Sequence, residues 1–277
     1  MVEIIFLGTG GGRFAMMTQK ARTGGIRIIT EKVNMHVDPG PGALIYSIEQ
    51  GLNPQKINAI LISHSHLDHT NDACLLIEAM TDGGKRKRGV LAAAHSVLDG
   101  NEICDRMITR YHRQLPEKII DARVGEKFSI GDLNIEVGRA IHADPDTVGF
   151  RFETQRFGSF GYLPDSEYFE GLSDFFRGVR LLILSVLRPS GQPWKGHMTT
   201  DDAARIAEEV KPELLVITHF GMLMIMKPPD REARIIKERT GVDAVAAKYG
   251  MHIIMKEKIK VVQPQGRKGQ VDLRFFM

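Results

Sequence analysis

The stretch NAILISHSHLDHTND, residues 58–72, decides how this chain is interpreted. Its first half is largely apolar and is typical of a buried β-strand. His64, His66, Asp68 and His69 then follow within six positions, although the chain has only 10 histidines among its 277 residues. The cluster is therefore predicted to lie in the loop at the carboxyl end of a strand, where ligands bind in open α/β architectures.

The spacing of these side chains indicates a metal site. Alternate side chains of an extended segment share a face, so His64 and His66 could hold one ion together. Asp68 and His69 follow as the chain turns, and could serve a second ion nearby. Imidazole and carboxylate ligands suit Zn, Fe or Mn. The alternative, a polar turn with solvated histidines, leaves the clustering unexplained.

Composition sets the broad class of the protein. The chain is 43% hydrophobic and 26% charged, which is ordinary for a globular protein. Cys74 and Cys104 are isolated, so we expect neither a disulfide framework nor a cysteine metal site, and a reducing, cytoplasmic setting. We expect no secretion signal and no membrane span. The net charge of +3 does not require nucleic acid, and the basic run Lys85–Arg88 is interpreted as a solvated loop.

Hydrophobic periodicity predicts strands that alternate with helices along the chain. KFSIGDLNIEVGRAIH is typical of a hairpin, and TVGFRFET with SFGYLPD of a second one. Helices are predicted over 71–80 and 99–114, and a further helix follows the capping box of Thr199 and Asp202. The tail 265–277 is expected to form a strand or an oligomer contact, so a homo-oligomer is allowed.

HSHLDH resembles the HxHxDH signature of the metallo-β-lactamase superfamily, and its companions follow in order. His142 in RAIHADPDTVGFRF, Asp165 in FGYLPDSE and His219 in LLVITHFG match the later histidine, aspartate and histidine of that superfamily. The resemblance covers essentially the whole chain. It implies a four-layer αββα sandwich that forms a single hydrolase domain over 1–277. It also implies two divalent metal ions, with zinc preferred and manganese or iron as alternatives.

The resemblance also implies a role for each ligand-type residue. The implied ligands are His64, His66 and His142 for one ion, Asp68, His69 and His219 for the other, and Asp165 as the bridge. A hydroxide shared by the two ions would attack the substrate, and the catalytic candidate Asp68 would orient it. The bridging aspartate is typical of two-metal hydrolases, and favours phosphoester or thioester chemistry over antibiotic hydrolysis.

A later segment narrows the choice of relatives. KGHMTTDDAARIAEEVKPELLVITHFG resembles a segment of the ribonuclease Z group and of related phosphodiesterases. Within it, His197 is implied to be catalytic, donating a proton or hydrogen bond to a phosphoryl oxygen or leaving group. The group usually carries DCGEGTQ where this chain has VDPGPGAL, which keeps Asp38 and replaces the glutamate by Pro41. No long Gly/Pro-rich arm for tRNA follows. A small-molecule or nucleotide phosphoester is thus favoured, with RNA allowed but not required.

Competing interpretations remain open at this point. A thioester or lactone hydrolase of the same superfamily is one alternative, although those branches typically lack GHMTT. A metal-binding protein without hydrolytic activity is another. A redox diiron role is disfavoured because diiron oxidoreductases of this fold usually have glutamate at the position of His66. Asp38 is either a residue that orients a ligand imidazole or a turn-forming aspartate, and GTGGG is interpreted as a tight turn near the metals.

Overall fold

The computed structural model describes residues 1–264, in which two β-sheets face each other and helices cover their outer sides. This arrangement confirms the predicted αββα sandwich. The tail 265–277, predicted to be a strand or an oligomer contact, lies outside the described residues. None of the helices within 1–264 is both long enough and apolar enough to cross a membrane.

The first sheet takes its strands from the first half of the chain and from the end of the described part. Its order is β15-β14-β1-β2-β3-β4-β5-β6. The strands are β1 (Val2–Gly8), β2 (Thr23–Ile29), β3 (Asn34–Val37), β4 (Ala59–Ile62), β5 (Val90–Ala93), β6 (Lys118–Asp121), β14 (His252–Met255) and β15 (Ile259–Val262). β3 to β6 run parallel, so their carboxyl ends share one edge.

The second sheet begins with two hairpins and ends with parallel strands. Its order is β13-β12-β11-β10-β9-β8-β7. The strands are β7 (Lys127–Ile130), β8 (Leu133–Arg139), β9 (Val148–Thr154), β10 (Gly158–Leu163), β11 (Leu181–Ser185), β12 (Leu214–Thr218) and β13 (Ala244–Ala246). Both predicted hairpins are confirmed, as β7–β8 and β9–β10.

The helices connect these strands. Within 1–264 they are α1 (Gly12–Thr18), α2 (Ala43–Glu49), α3 (Leu67–Thr70), α4 (Ala73–Met80), α5 (His95–Asp99), α6 (Leu172–Phe175), α7 (Thr200–Val210), α8 (Met222–Met226) and α9 (Pro229–Thr240). The helix predicted after the capping box is confirmed, because the Thr199 side chain accepts from the Asp202 N–H while Asp202 accepts from the Thr199 N–H.

The central strands β11 and β12 of the second sheet are buried on both faces. In β11, Leu181 and Ile183 pack into the core between the sheets, whereas Leu182 and Leu184 pack under α6, α7 and α9. Successive side chains of a strand point to opposite faces, so a continuous apolar run such as LLIL requires a layer on each side. The same two-sided burial explains the four layers.

The predicted helix over 99–114 is wrong. The chain leaves α5 at Gly100, whose φ of +77° ends the helix. The Asn101 side chain then accepts from the Ile103 N–H, and the Asn101 N–H donates to the Cys104 carbonyl. Asparagine competes in this way for local backbone groups, which turns the chain despite its helical spacing of apolar residues. Only a short 3₁₀ turn forms within the segment, at His112–Gln114.

A buried cation lies under α2, in the first sheet. Arg27 of β2 is fully buried, and its guanidinium contacts Asn34 Oδ1 (3.0 Å), His36 Nδ1 (3.2 Å) and Ser47 Oγ (2.8 Å). His36 Nε2 lies 2.7 Å from the Gly24 carbonyl. Burial, reinforced by the charge of Arg27, holds the pKa of His36 well below its ordinary value of 6.5. His36 is thus a neutral core histidine that donates from Nε2 and accepts from the arginine.

We predict that this histidine makes the protein less stable in acid. The folded protein keeps His36 neutral, whereas the unfolded chain takes up a proton below about pH 6.5, so stability falls as the pH drops through that value. Relative to His36→Gln, the parent protein should lose up to about 1.4 kcal/mol more of its unfolding free energy per pH unit in that range. Denaturant unfolding at a series of pH values measures the difference. Parallel pH profiles for the two proteins would contradict the prediction.

Candidate metal centre

Strand ends of both sheets bring the predicted ligands together. The first four candidates follow β4, at the carboxyl edge of the first sheet. His142, Asp165 and His219 follow β8, β10 and β12 of the second sheet. All seven side chains form two adjacent groups: His64, His66, His142 and Asp165 in one, and Asp68, His69 and His219 in the other. Within each group the potential ligand atoms lie within 4.8 Å of one another.

The first group is a ring of close imidazoles. His66 Nδ1 lies 3.1 Å from His64 Nε2 and 3.0 Å from His142 Nε2. Asp165 Oδ2 lies 3.6 Å from His142 Nε2. Ligand atoms around a tetrahedral zinc ion with Zn–N bonds of about 2.0–2.1 Å are roughly 3.3 Å apart. The spacing of these atoms therefore fits a small divalent ion at their centre.

The second group has the same compact spacing. His69 Nε2 lies 3.0 Å from His219 Nε2, and Asp68 Oδ2 lies 3.3 Å from that same His219 atom. Asp165 connects this group to the first, since its Oδ1 lies 3.0 Å from His219 Nδ1 and its Oδ2 lies 3.9 Å from His69 Nε2. The Asp165 carboxylate thus faces both groups, as the bridging role predicted for it requires.

The tautomers of three histidines follow from their outer partners. His69 Nδ1 donates to Asp38 Oδ2 at 3.0 Å, and His142 Nδ1 donates to the Gly196 carbonyl at 2.7 Å. His64 Nδ1 faces Ser63 Oγ at 3.0 Å; that hydroxyl gives its own proton to Asp38. Each ring therefore turns an unprotonated Nε2 toward the site. Such second partners are what fix a metal-binding histidine.

Two buried atoms remain unsatisfied in this arrangement. Asp165 Oδ1 and His219 Nδ1 are close, yet neither has a hydrogen bond of acceptable geometry among the residues that the structure describes. Buried polar groups without partners are rare and costly. A carboxylate oxygen and an imidazole nitrogen are both common ligand atoms for divalent ions, so a bound cation would satisfy such groups. The donor set thus fits divalent metal ions.

The charges around the site agree with this fit. Burial by itself would raise the pKa of Asp165, but His219 and the other imidazoles outweigh it and hold that pKa well below its ordinary value. Burial would likewise lower the pKa of His219, but the Asp165 and Asp68 carboxylates outweigh it and raise the pKa to about 10. The pocket therefore carries enough negative charge to hold a cation.

His197 stands at the edge of the first group. Its Nδ1 lies 3.6 Å from Asp165 Oδ2, and its ring centroid lies 4.7 Å from that of His142. Burial, together with the charges of the neighbouring His219 and His142, lowers the pKa of His197 to about 4 against the opposing charges of Asp165 and Asp68. The ring is neutral near pH 7, so it keeps one N–H with which to donate a hydrogen bond.

Asp38, the aspartate of the Asp-Pro-Gly turn, supports the second ligand group. It is buried, and besides His69 its carboxylate accepts from the Ser63 N–H (2.7 Å), Ser63 Oγ (2.8 Å) and Tyr162 Oη (2.7 Å). Its φ of +51° also makes it a turn residue. Asp38 therefore both orients a ligand imidazole and forms the turn.

The GTGGG segment lies against the second group and is more than a turn. The Gly12 N–H donates to Asp68 Oδ2 at 2.7 Å and opens α1, a helix that was not predicted. A Cβ on Gly11 would lie 2.1 Å from the His219 ring. Only glycine fits there, because any side chain would displace the histidine.

Two supporting residues were missed in the sequence. Tyr162 reaches Asp38 from β10, and nothing in its local pattern distinguishes it from a core tyrosine. Asp144 is fully buried and accepts from the Ser65 N–H (2.9 Å), Ser65 Oγ (2.7 Å) and Ser96 Oγ (2.6 Å), which holds the loop between His64 and His66. Its place two residues after His142, in HADPD, was the available signal.

The fold and this arrangement of ligands define a member of the beta-lactamase superfamily. The chain belongs to that family, because the model described as Beta-lactamase superfamily domain matches residues 33–220. An uncharacterized protein of Methanocaldococcus jannaschii is 39% identical over 91% of this chain and 94% of its own length. Ribonuclease Z of Sulfolobus acidocaldarius is 25% identical over 87% of this chain and 95% of its own.

A solved structure shows the same fold. The metallo-beta-lactamase fold protein YhfI of Bacillus subtilis superposes with a TM-score of 0.76 at 21% identity, covering 91% of this chain and 98% of its own. The family match over residues 33–220 confirms the predicted resemblance to the superfamily. At 21% identity, the likeness to YhfI shows a shared fold.

We predict that Asp38→Asn weakens metal binding. The amide would place an N–H group against Ser63, Tyr162 or His69, all of which now donate to the Asp38 carboxylate. His69 would thereby lose the acceptor that fixes its tautomer. Affinity for divalent metal should fall about 10- to 100-fold, as for other outer partners of metal ligands. Titration of metal-free protein with zinc, followed by calorimetry, measures the change.

Asp174→Asn is the matched control for this substitution. Asp174 is exposed, pairs only with Arg177 through its side chain among the contacts described, and lies in α6 away from the ligands. The control should bind zinc as the parent protein does. Equal zinc affinity in the Asp38 and Asp174 variants would contradict a positioning role for Asp38.

Proposed function

We propose that the protein is a two-metal hydrolase that cleaves a phosphodiester, with zinc as the preferred metal. The observation that carries this proposal is the position of Asp165, whose carboxylate faces both ligand groups: its Oδ2 lies 3.6 Å from His142 Nε2 and 3.9 Å from His69 Nε2. His64, His66 and His142 would hold one ion, and Asp68, His69 and His219 the other. Two ions held in this way would supply Lewis acidity toward a phosphoryl oxygen and would lower the pKa of bound water to about 7.

Two residues beside the ions would orient the attacking water and stabilise the developing negative charge. Asp68 is ionised, because nearby imidazoles outweigh burial and keep its pKa well below the ordinary value. Its Oδ2 is held by the Gly12 N–H, so the carboxylate has a fixed direction in which to orient an attacking water. Neutral His197 would donate to a phosphoryl oxygen or to the leaving group, where negative charge develops in the transition state.

A phosphoester is favoured over other substrates for two reasons. The ribonuclease Z of Sulfolobus acidocaldarius, which this chain resembles along most of its length, is by name a nuclease and so acts on phosphodiesters. His197 also belongs to the GHMTT segment, which the thioester-cleaving branches typically lack. Since the chain has no long Gly/Pro-rich arm for gripping tRNA, a nucleotide or other small phosphodiester is the substrate we propose.

A substrate panel tests the proposed class. Bis-p-nitrophenyl phosphate, cyclic nucleotides, unprocessed tRNA and a thioester would each be assayed with zinc-loaded and manganese-loaded protein. We expect turnover of at least one small phosphodiester and little or none of the thioester. Turnover of the thioester alone would overturn the proposal.

We predict that His197→Ala separates catalysis from metal binding. The variant should keep its metal content, because the seven other side chains form the ligand groups, while kcat for a phosphodiester falls about 10²- to 10⁴-fold. Metal analysis and steady-state kinetics on the same preparation measure both effects. Loss of an ion together with the activity would make His197 a ligand instead.

A further inference from the structure

A tight turn carries His197 and also presents two exposed side chains. The His197 N–H donates to the Trp194 carbonyl at 3.1 Å, with Lys195 and Gly196 at the tip. Gly196 has a φ of +77°, the conformation that a type II turn requires at its third position. Trp194 and Lys195 are exposed, whereas Gly196 is buried. One turn thus offers an indole and an ammonium group next to the catalytic candidate.

The turn is fixed to the metal site by both polar groups of one peptide residue. The Gly196 N–H donates to Glu167 Oε2 at 2.9 Å, and the Gly196 carbonyl accepts from His142 Nδ1 at 2.7 Å. His142 belongs to the first ligand group, so the backbone beside Trp194 is held against that group. The backbone that carries the indole is therefore fixed close to the first ligand group.

The indole itself is held in place on one side. The Arg188 guanidinium lies 5.1 Å from the Trp194 ring centroid, within range of a cation–π contact. Arg188 Nε also donates to the Gln192 carbonyl at 3.2 Å, which restrains the arginine. The tryptophan nevertheless remains 58% exposed. A ring that is oriented beforehand and still open to solvent binds another flat group at a low cost in entropy.

We propose that Trp194 is the stacking surface for the nucleobase of a nucleotide phosphodiester. This inference rests on the proposed function, since it needs a phosphoryl group at the metals. A nucleotide carries its planar ring one sugar away from the phosphate, so the ring must rest outside the metal pocket, at its mouth. Stacking on an aromatic side chain accepts any base. Arg188 and Lys195 add positive charge where an anionic substrate enters.

Fluorescence tests the binding step without any need for turnover. Trp194 is the only tryptophan in the chain, so the tryptophan emission reports on this ring alone. Zinc-loaded protein would be titrated with adenosine 5′-monophosphate and, separately, with ribose 5-phosphate. We expect saturable quenching by the nucleotide and little change with the sugar phosphate, which lacks a base. Equal responses to both compounds would overturn the inference.

Kinetics of two variants test the same surface during catalysis. With thymidine 5′-(p-nitrophenyl phosphate), Trp194→Ala should raise KM roughly tenfold and leave kcat little changed, because stacking binds the substrate away from the reacting atoms. Trp194→Phe, which keeps a stacking ring, should stay close to the parent protein. With methyl p-nitrophenyl phosphate, which has no base, Trp194→Ala should have a much smaller effect.

Tyr111→Ala provides the matched control. Tyr111 is exposed to nearly the same extent, 55%, but precedes the 3₁₀ turn at His112–Gln114, away from the ligand groups. It should leave both KM values unchanged, and metal content should be equal in all variants. An unchanged KM of Trp194→Ala for the thymidine ester would overturn the inference while leaving the proposed function intact. Absence of hydrolysis by the parent protein would instead count against the proposed function, and the fluorescence titration would then decide the inference by itself.

Discussion

The buried carboxylate of Asp38 joins the two sheets at the edge where the ligands meet. Asp38 and Ser63 follow β3 and β4 of the first sheet, while Tyr162 lies in β10 of the second. Ser63 and Tyr162 both donate hydrogen bonds to the Asp38 carboxylate, and His69 donates to it as well. A buried carboxylate is costly unless its oxygens accept hydrogen bonds, so these contacts favour one relative position of the two sheets. In the same relative position, Asp165 faces both ligand groups.

The same edge holds backbone conformations that ordinary side chains avoid. Asp38 and His219 have φ values of +51° and +60°. Non-glycine residues in such sparsely populated regions cost about 1–3 kcal/mol each and persist where the surroundings over-determine them. Asp38 has its several hydrogen bonds. His219 is confined by Gly11, and its neighbour Phe220 donates through its N–H to the Thr9 carbonyl at 2.7 Å. Packing of the GTGGG segment thus helps to hold His219 in the direction of the other ligand-type side chains.

Much of this arrangement could be predicted from the sequence because the motif is contiguous. HSHLDH places four candidate ligands after one strand, and two-sided apolar runs such as LLIL indicate the buried sheets. His142, Asp165 and His219 come from distant strands, and they were found only through the order in which the superfamily places them. The structure brings them within reach of the motif, as that order implies.

Other features depend on tertiary contacts that no local pattern records. Tyr162 becomes a partner of Asp38 only when the sheets face each other. Asp144 is recognisable as a support only once Ser65 and Ser96 are placed beside it. In 99–114, the side chain of Asn101 outweighs a helical pattern of apolar residues, since it bonds to the backbone two residues on. The role of Gly11 likewise depends on a ring that is more than 200 positions away.

We propose that the seven side chains form one two-metal centre bridged by Asp165. Anomalous diffraction from crystals of the zinc-loaded protein would locate the ions. We expect two peaks per chain, about 3.5–4 Å apart, with Asp165 in contact with both and His197 outside the ligand shell. A single peak at full zinc occupancy, or an Asp165 carboxylate bound to only one ion, would contradict it.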